Sequence, residues 1–414
     1  FRGLDVADME FDKRTELCSA VVAETCEARD CALQVYQVGD DMVYSGGLCP
    51  KGNKDTSRRK TPNYVALYRK VLERHLARFT APLDDAGERE RVLIPRSLTF
   101  LNEKGTFYAA LYRHLGFDVC ISPESDDAIA NLGANSAHSE TCFPVKLAHG
   151  HAAYLKDHLR KGKDKILLVN AMAVEDAKRK FCPYVASAGF LAKDGLDFDN
   201  RDTLLPVIFF ENSYFKVDQA VKADLDRVFG KRFGMKEIRS AIQKAQEAEK
   251  AFLDEIHTTG EKIFSGLKKK GEMVFVGLGR GYTVLDDKAS SKVHELFQSY
   301  GLHFVPAFFF DLPNHDLDEI APNMYWYQGQ NILKGNLMVA LDSSLFPVRE
   351  TNFNCGTDSM ILFHEEDIMN RAERPHLVLQ TDGHNSNAQF GTRIMANYEV
   401  ARTDAARPME VEDF

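Results

Sequence analysis

Three cysteines far apart in the chain share one local setting. Cys142 stands in "SETCFPV", Cys182 in "KFCPYV" and Cys355 in "NFNCGTD", each with proline or glycine close by and a helix-forming run after it. Thiolates brought from three separate loops to one crevice can hold an iron–sulfur cubane and leave one iron without protein sulfur. Such an iron takes a substrate oxygen as a Lewis acid. The plainer alternative is three buried free thiols, and position along the chain does not decide between them.

The richest of the three stretches is "HSETCFPVKLAHGH", residues 138–151. A helix opening just after Cys142 points its positive end at that sulfur, which favours an anionic thiolate or cluster sulfide by about 0.3–1 kcal/mol. Pro144 suits the first turn, where no amide is missed. His149 and His151 are two residues apart and so face different sides of a helix, a poor arrangement for one metal. They read as packing residues. His138, in the loop beside Cys142, is the better acid–base candidate.

The elements that would carry these loops follow from apolar periodicity. "RVLIPRSL" reads as a buried strand, "KGTFYAALYRHLG" as a helix closed at Gly116, and "FDVCISP" as the next strand, which makes a βαβ unit and a parallel sheet. A helix follows Cys142, and "KILLVNA" is a further strand. In such sheets ligands collect beyond the carboxyl ends of the strands. Cys142, in a strand-to-helix connection, and Cys182, beyond "KILLVNA", are placed for one crevice. Residues 206–270 read as mainly helical, with Ile238, Ala241, Ala245, Ala248, Phe252 and Ile256 at helical spacing. From 271 the α/β theme returns: "MVFVGLGRGY", "LHFVPAFF", "LFPVRETNFNCG" and "HLVLQTD" are strands, and Cys355 again stands between strand and helix. The fold class is α/β, with two Rossmann- or flavodoxin-like parallel-sheet domains at 61–205 and 271–414. A helical linker spans 206–270, and a small cysteine-bearing β-hairpin module spans 1–60.

That module holds four of the eight cysteines. "CALQVYQV" and "MVYSGG" pair about the turn "GDD", which brings Cys31 and Cys49 to the open end of the hairpin with Cys26 just upstream. This reads as a metal knuckle; an ordinary hairpin with incidental cysteines is the alternative. Cys18 is a possible fourth ligand in a helical-looking flank. Cys120, inside a strand, reads as a core residue.

Composition excludes several classes. A net charge of −9 argues against a nucleic-acid surface, and no apolar run approaches the length of a membrane span. No signal peptide is visible, and a chain opening on "FRGLD" rather than Met gives no information from missing N-terminal features. A cytoplasmic location is expected. "GLGRGY" is an incomplete nucleotide fingerprint and reads instead as a tight turn aiming Arg280 and Tyr282 at the crevice. Neither a Walker A sequence nor a G-x-S-x-G elbow occurs.

"IPRSLTFLNEKGTFYAALYRHLGFDVCISP", "SETCFPVKLAHGH", "VFVGLGRGY", "TNFNCGTDS" and "LQTDGHNSNAQFGTRI" follow one another in an order that is telling. Over about residues 91–400 the chain resembles the 2-hydroxyacyl-CoA dehydratase-related iron–sulfur proteins. It is most similar to the branch fused to, or encoded beside, an activase of the benzoyl-CoA reductase/hydroxyglutaryl-CoA dehydratase activator type. Two departures stand out: Gly281 replaces a usual proline, and the C-x4-C at 26–31 is wider than the family spacing. The resemblance implies an oxygen-sensitive protein holding a [4Fe-4S] cluster on Cys142, Cys182 and Cys355. It also implies an ATP-hydrolysing activase, separate or fused, that docks and delivers an electron at very low potential. Some relatives carry a double-cubane [8Fe-9S] cluster with three cysteines on each half, for which Cys26, Cys31 and Cys49 would supply the second set. A separate four-cysteine cluster that includes Cys18 competes with that arrangement. Within this resemblance Glu140, His138 and Lys146 are candidate proton donors, and Arg280 balances cluster charge or grips an anionic substrate. The implied activity is reduction or reductive dehydration of a small molecule, an acyl-CoA among the candidates, in a homodimer. The alternatives are an electron-transfer or cluster-carrying module with no substrate of its own, and a binding scaffold that has lost its cluster.

Overall fold

The computed structural model describes residues 11–17, 32–38, 41–46, 61–84, 87–174, 179–210, 215–312, 317–383 and 387–403. Strands β1 (Phe11–Leu17), β2 (Ala32–Val38) and β3 (Asp41–Gly46) form an antiparallel sheet in that order. β2 and β3 pair from Val38↔Asp41 to Leu33↔Gly46, so two residues connect them, as in a tight hairpin. Cys18, Cys26, Cys31 and Cys49 lie outside the described residues. Glu16 and Leu17 belong to β1, whereas the sequence suggested a helical flank there.

Helix α1 (Tyr64–Leu76) leads to the first parallel sheet. β4 (Arg91–Ile94) is followed by a single π-helical turn at Phe100–Lys104, helix α2 (Gly105–His114) and β5 (Asp118–Ile121). Gly116 takes φ +94° and closes α2, the left-handed position read for it from sequence. Helices α3 (Asp127–Ser136) and α4 (Phe143–Asp157) then return the chain to β6 (Lys165–Leu167). Gly133 and Gly150 let these two helices cross at backbone distance. A Cβ on Gly133 would fall 1.9 Å from the Lys146 carbonyl oxygen, and one on Gly150 would fall 2.0 Å from that of Ile129. That crossing fixes the loop between the helices, and with it Cys142.

The predicted strand "KILLVNA" is divided. β6 stays in the first sheet, while β7 (Asn170–Val174) turns into a small separate sheet with β8 (Arg179–Lys180). Helix α5 (Pro183–Gly195) follows, then β9 (Thr203–Leu204) and β10 (Val207–Phe210). The first sheet runs β5-β4-β6-β9, all parallel, and the small sheet runs β10-β7-β8. β10 lies within the region expected to be mainly helical; four apolar residues are too few to reveal a period.

Helix α6 (Phe215–Phe229) and the 35-residue α7 (Met235–Lys269) complete that region. Ile238, Ala241, Ala245, Phe252 and Ile256 are buried along α7, as the periodicity predicts. The second parallel sheet comprises β11 (Val274–Leu278), β12 (His303–Pro306), β13 (Leu345–Asn352) and β14 (Leu377–Thr381). Around it stand α8 (Gly281–Val284), α9 (Val293–Ser299), α10 (Tyr327–Ala340), α11 (Gly356–Arg371) and α12 (Asn387–Thr403). Its order is β12-β11-β13-β14. Both parallel sheets therefore start at an inner strand, step one way, and then cross to the other side of it. The crossing leaves a crevice beyond the carboxyl ends of β4 and β6, and another beyond those of β11 and β13. No described helix is long and apolar enough to cross a membrane.

Candidate functional site

Cys142, Cys182 and Cys355 are the N-cap residues of α4, α5 and α11. Each has an extended backbone and hands directly into its helix, with Pro144 and Pro183 in the first turns of α4 and α5. The sulfurs occupy the place where a serine or aspartate side chain ordinarily accepts the free amides of the first turn. The Val185 amide donates to Cys182 Sγ at 3.5 Å. The amides of Val145 and Asp358 likewise favour negative charge on the Cys142 and Cys355 sulfurs. The route to Cys142 differs from the expected one, because α3 intervenes between β5 and its loop. Cys142 thus caps a helix–helix connection, not a strand-to-helix one. Cys182 follows the small sheet, and only Cys355 comes straight off a main-sheet strand.

The three thiols nonetheless lie near enough to influence one another's charge. Burial pushes the Cys142 thiol up to about 12, and the nearby Cys355 and Cys182 push in the same direction against the Val145 amide and Arg280. Burial also raises the Cys355 thiol, as does Asp358. Burial raises the Tyr282 phenol well above its usual range; Arg280 opposes this, and Cys182, Cys355 and Cys142 all add to it. Left to themselves, Cys142 and Cys355 are protonated at neutral pH and poor nucleophiles.

Arg280, buried at the end of β11, ties this cluster to the second sheet. Its Nε and Nη2 donate to Asp358 Oδ1 at 3.0 and 2.9 Å, and Nη1 donates to Gln328 Oε1 at 2.6 Å and Tyr282 Oη at 3.3 Å. Nη2 also donates to Thr357 Oγ1, leaving that hydroxyl's own proton free to point at Cys355 Sγ, 3.5 Å away. Burial would lower the Arg280 pKa, but Asp358, Tyr282, Cys355 and Cys182 together hold it well above its usual value. Asp358 accepts from Thr351 Oγ1 at 2.6 Å and lies 3.0 Å from Arg349 Nη2. Burial opposes ionisation of Asp358, yet Arg280 and Arg349 hold its carboxyl well below the ordinary range. Arg349 is fully buried and also donates to Glu365 Oε1 at 2.8 Å. Two arginines thus face two carboxylates. Burial pushes Glu350, next along β13, well above the carboxylate range, against the pull of Arg349. Gly279 allows the Arg280 turn to lie on β13, since a Cβ there would sit 2.7 Å from the Glu350 carbonyl oxygen.

Of the predicted site residues, the structure brings together Cys142, Cys182, Cys355 and Arg280. His138 and Glu140 are exposed, and their bonds close the loop on itself: Thr141 Oγ1 donates to the His138 carbonyl at 2.7 Å, and the Glu140 amide donates to His138 Nδ1 at 3.3 Å. Lys146 is half-buried in the first turn of α4. His149 and His151 face different surroundings, as their spacing requires. His151 is held between Ser122 Oγ and Ser125 Oγ, each at 2.9 Å, and burial lowers it to about 3, so it is neutral. Cys120 is fully buried and donates weakly to the Pro82 carbonyl. Sequence reasoning missed Asp358, Arg349 and Glu365. The signal was the adjacent "RE" inside the apolar run "LFPVRET", because two charges in a buried strand need partners.

Among the described residues no group of three or more His, Cys, Asp or Glu side chains is close enough to hold one metal ion. A cubane asks for less, since each thiolate binds a different iron and the sulfurs need not converge on a point.

The family model described as the CoA enzyme activase uncharacterised domain (DUF2229) matches residues 91–309. No curated protein matches the chain. Among solved structures, the C-terminal domain of glucosamine-fructose-6-phosphate aminotransferase from Francisella tularensis is 11% identical, with 84% of this chain and 97% of that one covered and a TM-score of 0.21. A protein described as a phosphosugar isomerase from Clostridium difficile 630 is 9% identical, with 84% and 94% covered and a TM-score of 0.20. Overlaps this loose carry no argument about fold or chemistry.

Proposed function

This chain belongs to the CoA enzyme activase domain family, whose model it matches over residues 91–309, and from that premise we propose that it is the iron–sulfur component of an activase-dependent system. It receives low-potential electrons from an ATP-hydrolysing activase and reduces, or reductively dehydrates, a small substrate. The observation that supports this reading is that three cysteine-capped helix ends lie within electrostatic reach of one buried arginine. Cys142, Cys182 and Cys355 are the residues that would hold a [4Fe-4S] cubane. When bound, such a cluster supplies one-electron chemistry at low potential and an iron open to a substrate oxygen.

The chain's own groups suit that cargo. Three helix ends offer amides and positive dipole ends to sulfur. Arg280 offers positive charge to an anionic site, and Asp358 keeps it oriented. The raised thiol of Cys142 means that metal must displace a proton there, so loading releases protons and strengthens as pH rises. In this reading residues 61–205 and 271–414 are two Rossmann-like halves joined by the helical segment 206–270. The first gives Cys142 and Cys182, the second gives Cys355 and Arg280, and substrate enters between them. Cys26, Cys31 and Cys49 supply the second half of a double cubane. Tyr184, Phe353, Met360 and Phe363 are exposed on or beside the two helices capped by Cys182 and Cys355. Exposed apolar side chains of this kind suit a docking protein, and here they receive the activase.

The test is anaerobic reduction with the activase. ATP-dependent bleaching of the cluster absorbance, lost in a Met360→Asp/Phe363→Asp protein that still binds wild-type iron, supports the reading. Reduction that is indifferent to ATP overturns it.

A further inference from the structure

A chain of hydrogen bonds crosses from one parallel-sheet region to the other. In the first region Ser122 follows β5, Ser125 stands in the loop before α3, and His151 belongs to α4. In the second, Asp286 comes two residues after α8. The Ser125 hydroxyl donates to Asp286 Oδ2. His151 Nε2 lies 2.9 Å from Ser125 Oγ, and Nδ1 lies 2.9 Å from Ser122 Oγ. The Arg96 amide donates to Ser122 Oγ at 2.8 Å. His151, Ser122 and Asp286 are buried, so water does not replace a bond lost among them.

Counting protons fixes the direction of every link. A serine hydroxyl has one proton to give. That of Ser125 goes to Asp286, so the imidazole must donate from Nε2 to Ser125. Burial keeps the His151 ring neutral. Its Nδ1 therefore has no proton and accepts from Ser122, whose oxygen takes the Arg96 amide. Asp286 Oδ1 accepts the amides of Lys288 and Ala289, each at 2.9 Å, which makes this carboxyl group the last acceptor in the chain. Burial raises the Asp286 carboxyl, and the Ser125 hydroxyl and the Ala289 amide act against it.

Both ends of the chain sit on helices that begin at the candidate site. Cys142 caps α4, and His151 follows about 14 Å along that helix. Arg280 caps α8, and its carbonyl accepts the amides of Thr283 and Val284 at 2.8 and 3.0 Å, so one tight turn joins Arg280 to Asp286. A nearby ion pair across the same seam, Lys288 with Asp127, leaves its carboxylate in solvent and holds little. We infer that His151 is a positioning residue: through Ser125 and Asp286 it fixes α4 against α8, and so holds Cys142 in place relative to Arg280. The inference rests on the reading above for what Cys142 and Arg280 serve, though not for the chain of bonds.

The metal-free protein provides the test, so that absence of a cluster and absence of this link are separate outcomes. Nitrogen NMR of isotope-labelled histidine, with the ring assigned by its loss in His151→Gln, is expected to show the Nε2–H tautomer at neutral pH. Asp286→Asn is expected to reverse it. The two backbone amides claim the oxygen of the new side chain, which turns its NH2 toward Ser125; Ser125 then donates to Nε2, and the ring proton moves to Nδ1. Simple packing of His151 would not answer to a substitution in the other region in this way. Alkylation of Cys142 at fixed pH, followed by mass spectrometry, is expected to quicken about ten-fold in His151→Phe, the worth of one hydrogen bond, with the rate at buried Cys120 unchanged. His151→Gln, which keeps a donor at the Nε2 position, is expected to restore most of the protection. If phenylalanine is not tolerated, Ser125→Ala cuts the same chain and should give the same rise. An Nδ1–H or doubly protonated ring in the wild type, an unchanged tautomer in folded Asp286→Asn, a glutamine variant no slower than the phenylalanine one, or cut variants whose Cys142 rate matches wild type or rises only in step with Cys120, would overturn the inference.

Discussion

The molecule buries an aspartate between two arginines twice, at opposite edges of its two parallel sheets. Asp164 precedes β6 and accepts from Arg91 Nη2 at 2.7 Å and Arg160 Nη2 at 2.7 Å, at the amino ends of the first sheet. Asp358 follows β13 and faces Arg280 and Arg349 at the carboxyl ends of the second. In both cases burial opposes the charge and the arginines prevail. The surroundings differ. Arg91 and Arg160 spend their remaining donors on the carbonyls of Leu83, His158, Gly87 and Arg89, which pins loops together. Arg280 spends its own on Tyr282, Gln328 and Thr357, beside three thiols. The same ion cluster is a clasp at one edge and part of the candidate site at the other. Topology assigns the role, because the carboxyl edge is where the loops of a parallel sheet leave a crevice.

Asp164→Asn and Asp358→Asn break the comparison most sharply. Each leaves buried arginine charge under-compensated and is expected to cost about 3–5 kcal/mol in urea unfolding. Only Asp358→Asn should change thiol chemistry. Asp358 holds the Cys355 thiol up, so its neutralisation lowers that thiol's pKa and quickens alkylation at fixed pH. Asp164→Asn should leave the alkylation rate unchanged. Gly150→Ala comes next: a methyl forced against the Ile129 carbonyl is expected to cost about 1–3 kcal/mol in the same measurement and to disturb the Cys142 loop.

The two edges also respond to opposite ends of the pH scale. The Asp164 carboxyl lies at about 2, below its unfolded value, so its stabilisation is present above about pH 4 and fades as pH falls toward 2. The Cys142 thiol, at about 12, lies above its unfolded value near 9. Between those pH values the unfolded chain releases a proton that the folded metal-free chain keeps, so stability falls as pH rises. Unfolding of wild type and Cys142→Ala across pH 8–11 should show the slope shallower in the variant by at most one proton, about 1.4 kcal/mol per pH unit. Cys120→Ala is the smallest effect expected, about 1 kcal/mol in stability with no change in bound iron.

Much of the fold was legible because burial on both faces leaves continuous apolar runs. "RVLI" and "VFVGL" are buried at every position and read as strands without alternation. The cysteine caps were legible too, since Pro144 and Pro183 mark helix starts. The division of "KILLVNA" was not, because nothing local to Leu168 and Val169 says that the chain changes sheets there. Helix α3 escaped notice because "DAIANLGANS" buries only Ile129 and Gly133, and the second of these works by lacking a side chain. α12 was hidden by a weakly patterned sequence. His138 and Glu140 looked catalytic from their nearness to Cys142 along the chain. The turn they occupy leaves both exposed, whereas Arg280, more than a hundred residues away in sequence, lies near the thiols.

Iron and acid-labile sulfide, counted after anaerobic reconstitution, test the central claim most directly. The account predicts about four of each per cubane in the wild-type chain. It also predicts a paramagnetic signal on reduction, with this cubane lost in each of Cys142→Ala, Cys182→Ala and Cys355→Ala and kept in Cys120→Ala. A wild-type chain that folds and takes up no iron, or a Cys355→Ala chain with the same iron and the same signal, would contradict it.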